Sequence, residues 1–448
     1  MSSRHRGAHP AASVLTRLDL RGKLGNSGPG RVAQLRRELP RPRVAAEPPV
    51  EAVAAILGDV RSRGDQAIRE LTQRFDHADI NDLRVPPAEI DQALTLIPRT
   101  LRAALEAAHA SILAFQQSTL PQDAQFQRDG ISVRQVWRPV ERAGCYVPGG
   151  LAEYPSSVLM TAVPAIVAGV QEVALCVPPM KDGRVPTSVL AAAAIAGISE
   201  VFRIGGAQAI GAMAFGTESI RPVDVIVGPG NIYVATAKRL VSAQVGTPSS
   251  FAGPSEVVVV ADDTTPENCA AIDIIVQAEH GPDGLAWLIT WSEDAAARIE
   301  ASASAILADA PRDAAIRATL DGGGYSVIVD DPQAAMDVAN AIAPEHLQLM
   351  NAEPEALVPL VRHAGAVFCG VHSPASVGDY IAGPSHVLPV YGSARFGSAL
   401  GVHDFLRDQH FISVDESALA SVAEHVAALA DAEGLHAHAE SVRTRTAR

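Results

Sequence analysis

The chain has 448 residues, 48% of them hydrophobic and 19% charged, which is apolar surface enough to offset the ordering entropy of about three units of roughly 150 residues. With 36 Lys and Arg against 50 Asp and Glu, its formal charge of −14 repels a phosphate backbone and argues against nucleic acid as a partner. The longest apolar runs, 158–170 and 189–198, fall short of the roughly 20 residues of a membrane span, and four scattered cysteines without a C-x-x-C spacing fit a reducing, cytoplasmic compartment.

Residues 1–43 hold ten Lys or Arg and two acids, Asp19 and Glu38, and are expected to form a basic N-terminal arm, partly disordered. From 51 to 118 apolar residues such as Val53, Ile56, Val60, Ile68 and Leu71 recur at helical spacing. Beyond Val140 come short β-rich runs at 172–177, 201–204, 223–227 and 255–261, most ending near Gly or Pro and followed by helical stretches. Such alternation predicts a parallel sheet covered by helices. Runs at 285–291, 325–329 and 365–369 predict a second α/β unit, and 416–448 is Ala-rich with helical spacing at Leu419, Val422, Val426 and Leu429.

Ligands of parallel sheets bind beyond the carboxyl ends of the strands, which directs attention to three turns: 144–150, 205–211 and Gly228-Pro229-Gly230-Asn231. Glycine lets backbone approach a ligand there, and the last two turns lead into helix N-termini that favour anions. No G-x-G-x-x-G follows a strand, so a nucleotide would be held in another way; tight turns without a ligand remain the alternative.

Ten of the 14 histidines lie between His280 and His438. A helix predicted after Thr265-Pro266-Glu267 carries Gln277 and His280 three residues apart in its last turn, where they can present two ligands to one metal ion, or His280 can cap the helix end. In Ala343-Pro344-Glu345-His346-Leu347 a carboxylate adjoins an imidazole, a composition suited to proton transfer from a loop or a helix start. The Gly-, Pro- and Ser-rich stretch 373–389 reads as a long ordered loop, functional or a plain surface connection, with Asp379 as a hard oxygen ligand and His386 seven residues on. Glu433 and His438 lie on the terminal helical segment.

Together with Ala252-Gly253-Pro254-Ser255-Glu256, Gln277-Ala278-Glu279-His280-Gly281-Pro282 and His386-Val387-Leu388-Pro389, these motifs resemble histidinol dehydrogenase in order and spacing over about residues 15–448. The resemblance implies a zinc enzyme that oxidises L-histidinol to L-histidine in two NAD-dependent steps through bound L-histidinaldehyde, the last step of histidine biosynthesis. It implies zinc ligands Gln277, His280, Asp379 and, from the partner of a homodimer with shared active sites, His438. Ser255, His386 and Glu433 become substrate contacts alongside the ligands and His346, while Tyr146, Gln208 and Asn231 match NAD-contacting positions. His346 is the base for the alcohol, and Glu345 activates the water that hydrates the aldehyde. Cys145 has no adjacent His or Lys and reads as structural.

The implied architecture is aldehyde-dehydrogenase-like: two incomplete Rossmann-like parallel-sheet domains with helical N- and C-terminal arms. Residues 44–145 with 255–400 are expected to form the metal-binding and catalytic domain, 146–254 the NAD-side domain, and 401–448 a dimerisation arm. Pro384-Ser385 departs from the Thr-Asn or Ser-Asn that the family commonly has before the loop histidine. Loss of that asparagine would weaken an ordering hydrogen bond or mark a paralogue acting on another polar alcohol, such as a sulfonated diol. A non-catalytic zinc-binding dimer is a further alternative.

Overall fold

The computed structural model describes residues 13–25, 27–40, 48–149, 152–248, 255–279, 284–310 and 312–447. Strand β1 (Thr16–Asp19) and helix α1 (Pro29–Glu38) arise from the basic stretch, followed by α2 (Val50–Arg63), α3 (Asp65–Asp76), α4 (Pro87–Leu96) and α5 (Arg99–Ser118), then β2 (Ala124–Arg128) and β3 (Ile131–Pro139). The first βα alternation comprises β4 (Arg142–Tyr146), α6 (Pro155–Ala168), β5 (Glu172–Val177), α7 (Thr187–Ile195), β6 (Glu200–Arg203), α8 (Gly206–Phe215), β7 (Val225–Val227) and α9 (Ile232–Val241). The second comprises β8 (Glu256–Ala261), α10 (Glu267–Ala278), β9 (Leu285–Thr290), α11 (Glu293–Ala308), α12 (Asp313–Gly323), β10 (Gly324–Ile328), α13 (Pro332–Ile342), β11 (His346–Leu349), α14 (Pro354–Leu357), β12 (Ala366–Cys369) and α15 (Ala375–Tyr380). The chain closes with β13 (Leu406–Val414), α16 (Glu416–Ala432) and α17 (His436–Thr446).

Two parallel sheets dominate. One has the order β6-β5-β4-β7 and the other β1-β10-β9-β8-β11-β12. In both, successive strands add on one side of the first strand until the chain crosses to its other side, so a switch point lies between β4 and β7 and between β8 and β11. β8 and β9 are buried at every position, which accounts for their unbroken apolar runs. A separate antiparallel sheet, β13-β3-β2, carries the terminal helices.

Helices α2 and α3 bury Val53, Leu57, Val60, Ile68 and Leu71 against Tyr146, Phe202 and Ile204 of the four-stranded sheet. Its other face receives Ile90, Leu105 and Ile112 of α4 and α5. This corrects the sequence grouping of 44–145 with 255–400: the helical region covers the sheet of the 146–254 unit. β4 is an inner strand of that sheet, and the expected boundary at 145/146 cuts it. Periodicity reveals an apolar stripe but not the sheet it meets. At the N-terminus β1 extends the six-stranded sheet beside β10, and Leu15, Leu35 and Leu39 enter its core. Of the arm at 1–43 that was expected to be partly disordered, residues 1–12, 26 and 41–43 lie outside the described residues.

The terminal segment is two helices, broken at Gly434 with its φ of 74°. They pack together through Ala427, Ala430 and Ala439. Leu429 remains 68% exposed, and Ile412, Leu435 and Phe411 are also exposed on this arm. Among the described residues no helix is long and apolar enough to cross a membrane.

Candidate active site

The amino edge of the six-stranded sheet gathers most of the candidate chemistry. Ser255 immediately precedes β8, Glu256 and His346 are the first residues of β8 and β11, and Glu345 precedes β11. α10 runs back from the far edge, so Gln277 in its last turn returns to the same end. Of the loop and the helix start left open at Pro344, the structure has the loop. Ala343 closes α13 in the left-handed region, at φ 56°, and the chain enters a strand instead.

His346 is buried, and its Nδ1 lies 3.3 Å from the Glu256 carbonyl oxygen. A carbonyl only accepts, so Nδ1 carries a proton; Nε2 has a lone pair in the neutral ring and is a donor in the imidazolium. Nε2 is fully buried without a hydrogen-bond partner and stands 3.5 Å from Asp379 Oδ1 on α15, in ion-pair range. Glu345 Oε2 is 3.7 Å from Nδ1 and accepts the Glu256 N–H at 3.1 Å. Burial pulls the imidazolium pKa down, but Asp379, Glu345 and the Glu256 carbonyl outweigh it and the net shift is upward. Burial pushes Glu345 up, with a further push from Asp379 that His346, the Glu256 N–H and the Ser255 hydroxyl oppose. Glu256 is pushed up to about 8, first by burial and then by Glu345. These two carboxyls therefore resist carrying two charges at once.

Gln277 is buried, and among the described residues its Nε2 has no hydrogen-bond partner. A half-turn of the amide exchanges Nε2 with Oε1, so this side chain offers either a donor or an oxygen ligand. Its partner in the sequence motif, His280, lies outside the described residues. His386 donates from Nδ1 to the Asp379 carbonyl at 2.8 Å, so its Nε2 accepts from Ser157 Oγ of α6 at 3.2 Å. This contact ties the two parallel-sheet units together beside the site. Ser385 is buried and donates to the Met160 carbonyl at 3.0 Å while accepting the Val387 N–H. Ser385 thus makes ordering hydrogen bonds of its own at the position where the asparagine was expected. The segment around Asp379, read from sequence as loop, forms the short helix α15. Glu433 and His438 are exposed on the terminal arm. Among the described residues neither shares a hydrogen bond or ion pair with Gln277, Glu345, His346 or Asp379.

The three turns lie at the carboxyl edge of the four-stranded sheet, as expected. Tyr146 ends β4, and its buried phenol oxygen accepts the Gly206 N–H at 3.1 Å. Burial, chiefly, raises its pKa. Gln208 is buried in the first turn of α8. Asn231 caps α9 through Oδ1, accepting from Tyr233 and Val234 N–H at 3.0 and 3.1 Å, which leaves its amide N–H groups for a ligand. Gly228 sits at φ 108°, and a Cβ there would lie 2.0 Å from the Tyr146 carbonyl oxygen, so only glycine allows β4 and β7 to end this close together.

Sequence reasoning passed over Lys238 and gave Glu256 no role. Lys238 is buried and holds the Gly228 carbonyl at 2.5 Å; burial lowers it to about 7. One position inside an apolar helix face was its only signal. Cys145 is fully buried and pushed up to about 12 by burial, in keeping with a structural thiol.

The family model for histidinol dehydrogenase matches residues 39–446. The histidinol dehydrogenase of Parasynechococcus marenigrum is 47% identical over 415 residues, covering 92% of this chain and 95% of that protein. That of Leifsonia xyli is 45% identical over 434 residues, 96% of this chain and 98% of the other. The crystal structure of histidinol dehydrogenase from Elizabethkingia anophelis superposes with a TM-score of 0.90 at 32% identity, covering 97% of this chain and 98% of that one. A match of this extent spans both parallel sheets, the amino-edge cluster and the terminal arm together. The chain belongs to the histidinol dehydrogenase family.

Proposed function

We propose that the protein oxidises L-histidinol to L-histidine in two successive NAD-dependent steps, holding L-histidinaldehyde between them, in the cytoplasm. The observation that carries this reading is His346, buried with its Nδ1 3.3 Å from the Glu256 carbonyl oxygen and its Nε2 3.5 Å from Asp379 Oδ1. With the ring neutral, Nε2 takes the hydroxyl proton as hydride leaves the alcohol carbon. NAD, when bound at the carboxyl-edge turns beside Tyr146, Gln208 and Asn231, supplies the hydride acceptor. For the second oxidation Glu345 takes a proton from the water that hydrates the aldehyde. Burial raises its pKa, the direction that strengthens a carboxylate as a base, and a protonated Glu256 would spare it a neighbouring like charge.

The donor chemistry of the proposed set suits a zinc ion: Gln277 brings a buried amide whose Nε2 has no partner among the described residues, Asp379 a carboxylate, and the set would be completed by His280 and by His438 of the partner subunit. An all-oxygen-and-nitrogen set of this kind accepts zinc and leaves room for substrate groups. Zinc would orient histidinol and polarise its bound groups. Ser255, His386 and Glu433 are the further substrate contacts we assign; His386 would reach substrate by exchanging its bond to Ser157.

Exposure of Glu433 and His438, together with the apolar exposure of the terminal arm, supports a homodimer with shared sites. One assay tests the reaction: zinc-loaded protein with limiting L-histidinol and excess NAD should release two NADH per substrate. One equivalent would sink the two-step mechanism. None would return the reading to a non-catalytic zinc-binding dimer or to a dehydrogenase of another polar alcohol.

A further inference from the structure

β11 lies between β8 and β12 in the six-stranded sheet, and strand residues two apart share a face. Its register pairs His346 with Val257 and Gln348 with Val259 of β8. Val257 and Val259 belong to one apolar cluster with Ala271, Ile274 and Ile275 of α10, so His346 and Gln348 stand on the face that α10 covers. Gln348 is wholly buried there. Burying an amide costs free energy unless its groups find partners.

Gln348 Nε2 donates to Asp273 Oδ2 at 2.6 Å and to the Ser373 carbonyl oxygen at 3.3 Å. Both partners are acceptors, which leaves the amide one workable orientation: exchanging nitrogen and oxygen would set its carbonyl against a carboxylate and a second carbonyl. Asp273 lies one turn before Gln277 on α10, on the same side of the helix. Ser373 leads into α15, which carries Asp379 and lies close on β12, where a Cβ at Gly378 would come within 2.6 Å of the Phe368 ring. One buried side chain thus joins the three elements that carry Gln277, His346 and Asp379, and it is not itself among the groups assigned to metal or substrate.

We propose that Gln348, through Asp273 and the Ser373 carbonyl, is the positioning residue that sets the spacing of Gln277, His346 and Asp379. The inference rests on the zinc reading of this cluster. Apolar packing between α10 and the sheet is non-directional, whereas metal ligation holds distances to about 0.2 Å. Hydrogen bonds of fixed direction from a central strand supply the missing constraint.

The test uses the full chain with Gln348→Glu, Gln348→Met and the double variant Gln348→Glu with Asp273→Asn. Gln348→Glu keeps the shape, removes both donated bonds and faces Asp273 with like charge. In the double variant the new amide at 273 can donate to the new carboxylate at 348, which restores the link to α10 with its direction reversed. Gln348→Met, uncharged and of similar size, keeps the test open if a second buried carboxylate prevents folding. Four quantities are measured: zinc affinity by competition with a chromogenic chelator, NAD affinity alone, histidinol kinetics, and denaturant unfolding of the metal-free protein.

Both single variants should lose zinc affinity by about 10- to 100-fold and kcat by a similar factor, with NAD affinity within about twofold of the parent, since that edge belongs to the other sheet. The double variant should bind zinc about fivefold or more tightly than Gln348→Glu. Parental zinc affinity and kcat in the single variants would overturn the proposal. Single variants that lose stability while binding zinc as the parent does, or a double variant that regains stability but not zinc affinity, would assign the link to folding and overturn it equally. A parent protein that takes up no zinc would remove the zinc reading and this inference with it.

Discussion

His346 points its Nδ1–H at the main-chain carbonyl of Glu256, 3.3 Å away across two parallel neighbouring strands. Because a backbone atom sets the tautomer, no side-chain substitution at 256 can remove it. His346→Asn should therefore keep histidinol binding and lose most turnover, by about 10² to 10⁴. Substrate binding by calorimetry and single-turnover rates would check this; unchanged turnover would remove His346 as the base.

The Glu256 carboxyl, pushed up to about 8, makes a prediction about stability and pH. Its folded pKa lies above the unfolded value near 4.3, so the folded state holds the proton longer. Stability from this group is thus full below about pH 4.3 and declines as pH rises towards 8. Glu256→Gln mimics the protonated form and should gain stability over the parent at pH 8, by roughly 1 to 3 kcal/mol, with a smaller difference at pH 5. Denaturant unfolding at the two pH values measures it; an equal difference at both would show that Glu256 ionises normally.

Ser385 links the Asp379–His386 segment to α6 through the Met160 carbonyl. Ser385→Ala leaves that buried carbonyl without its donor and should cost about 1 to 3 kcal/mol. It should also raise the histidinol KM more than the NAD KM, because the serine adjoins His386. A variant with parental stability and KM would show that the hydroxyl is dispensable.

Shared sites can be tested by complementation. His438→Ala and His346→Ala homodimers should each be nearly inactive. Mixed, dissociated and reassociated, they should recover up to roughly a quarter of parental activity, since half of the dimers are mixed and each mixed dimer has one intact site. No recovery on verified subunit exchange would place His438 outside a shared site.

The sequence made the two parallel sheets legible because buried strands such as Leu285–Thr290 are continuous apolar runs bounded by turn residues. β13 was missed because Leu406–Val414 is exposed at nearly every position and shows no alternation. β11 was not read as a strand because Pro344-Glu345 suits a loop or a helix start, while the left-handed turn at Ala343 that redirects the chain has no glycine to announce it. At the site, Gln277, Glu345, His346 and Asp379 were named from local motifs. Glu256 was not, because its importance arises from Glu345, 89 residues away; Lys238 and Gln348 likewise acquire meaning only from burial and from their partners.

With its catalytic groups at the amino edge, the six-stranded sheet leaves its opposite rim without duties in the proposed chemistry. A groove of about 430 Å³ lies on that rim, bordered by Thr264, Met350, Asn351, Cys369 and His372. In most doubly wound proteins such loops are the least negotiable part of the molecule. If the amino edge is the working one, a reporter dye attached at Cys369, or a tag inserted in these loops, should leave turnover at the parental level.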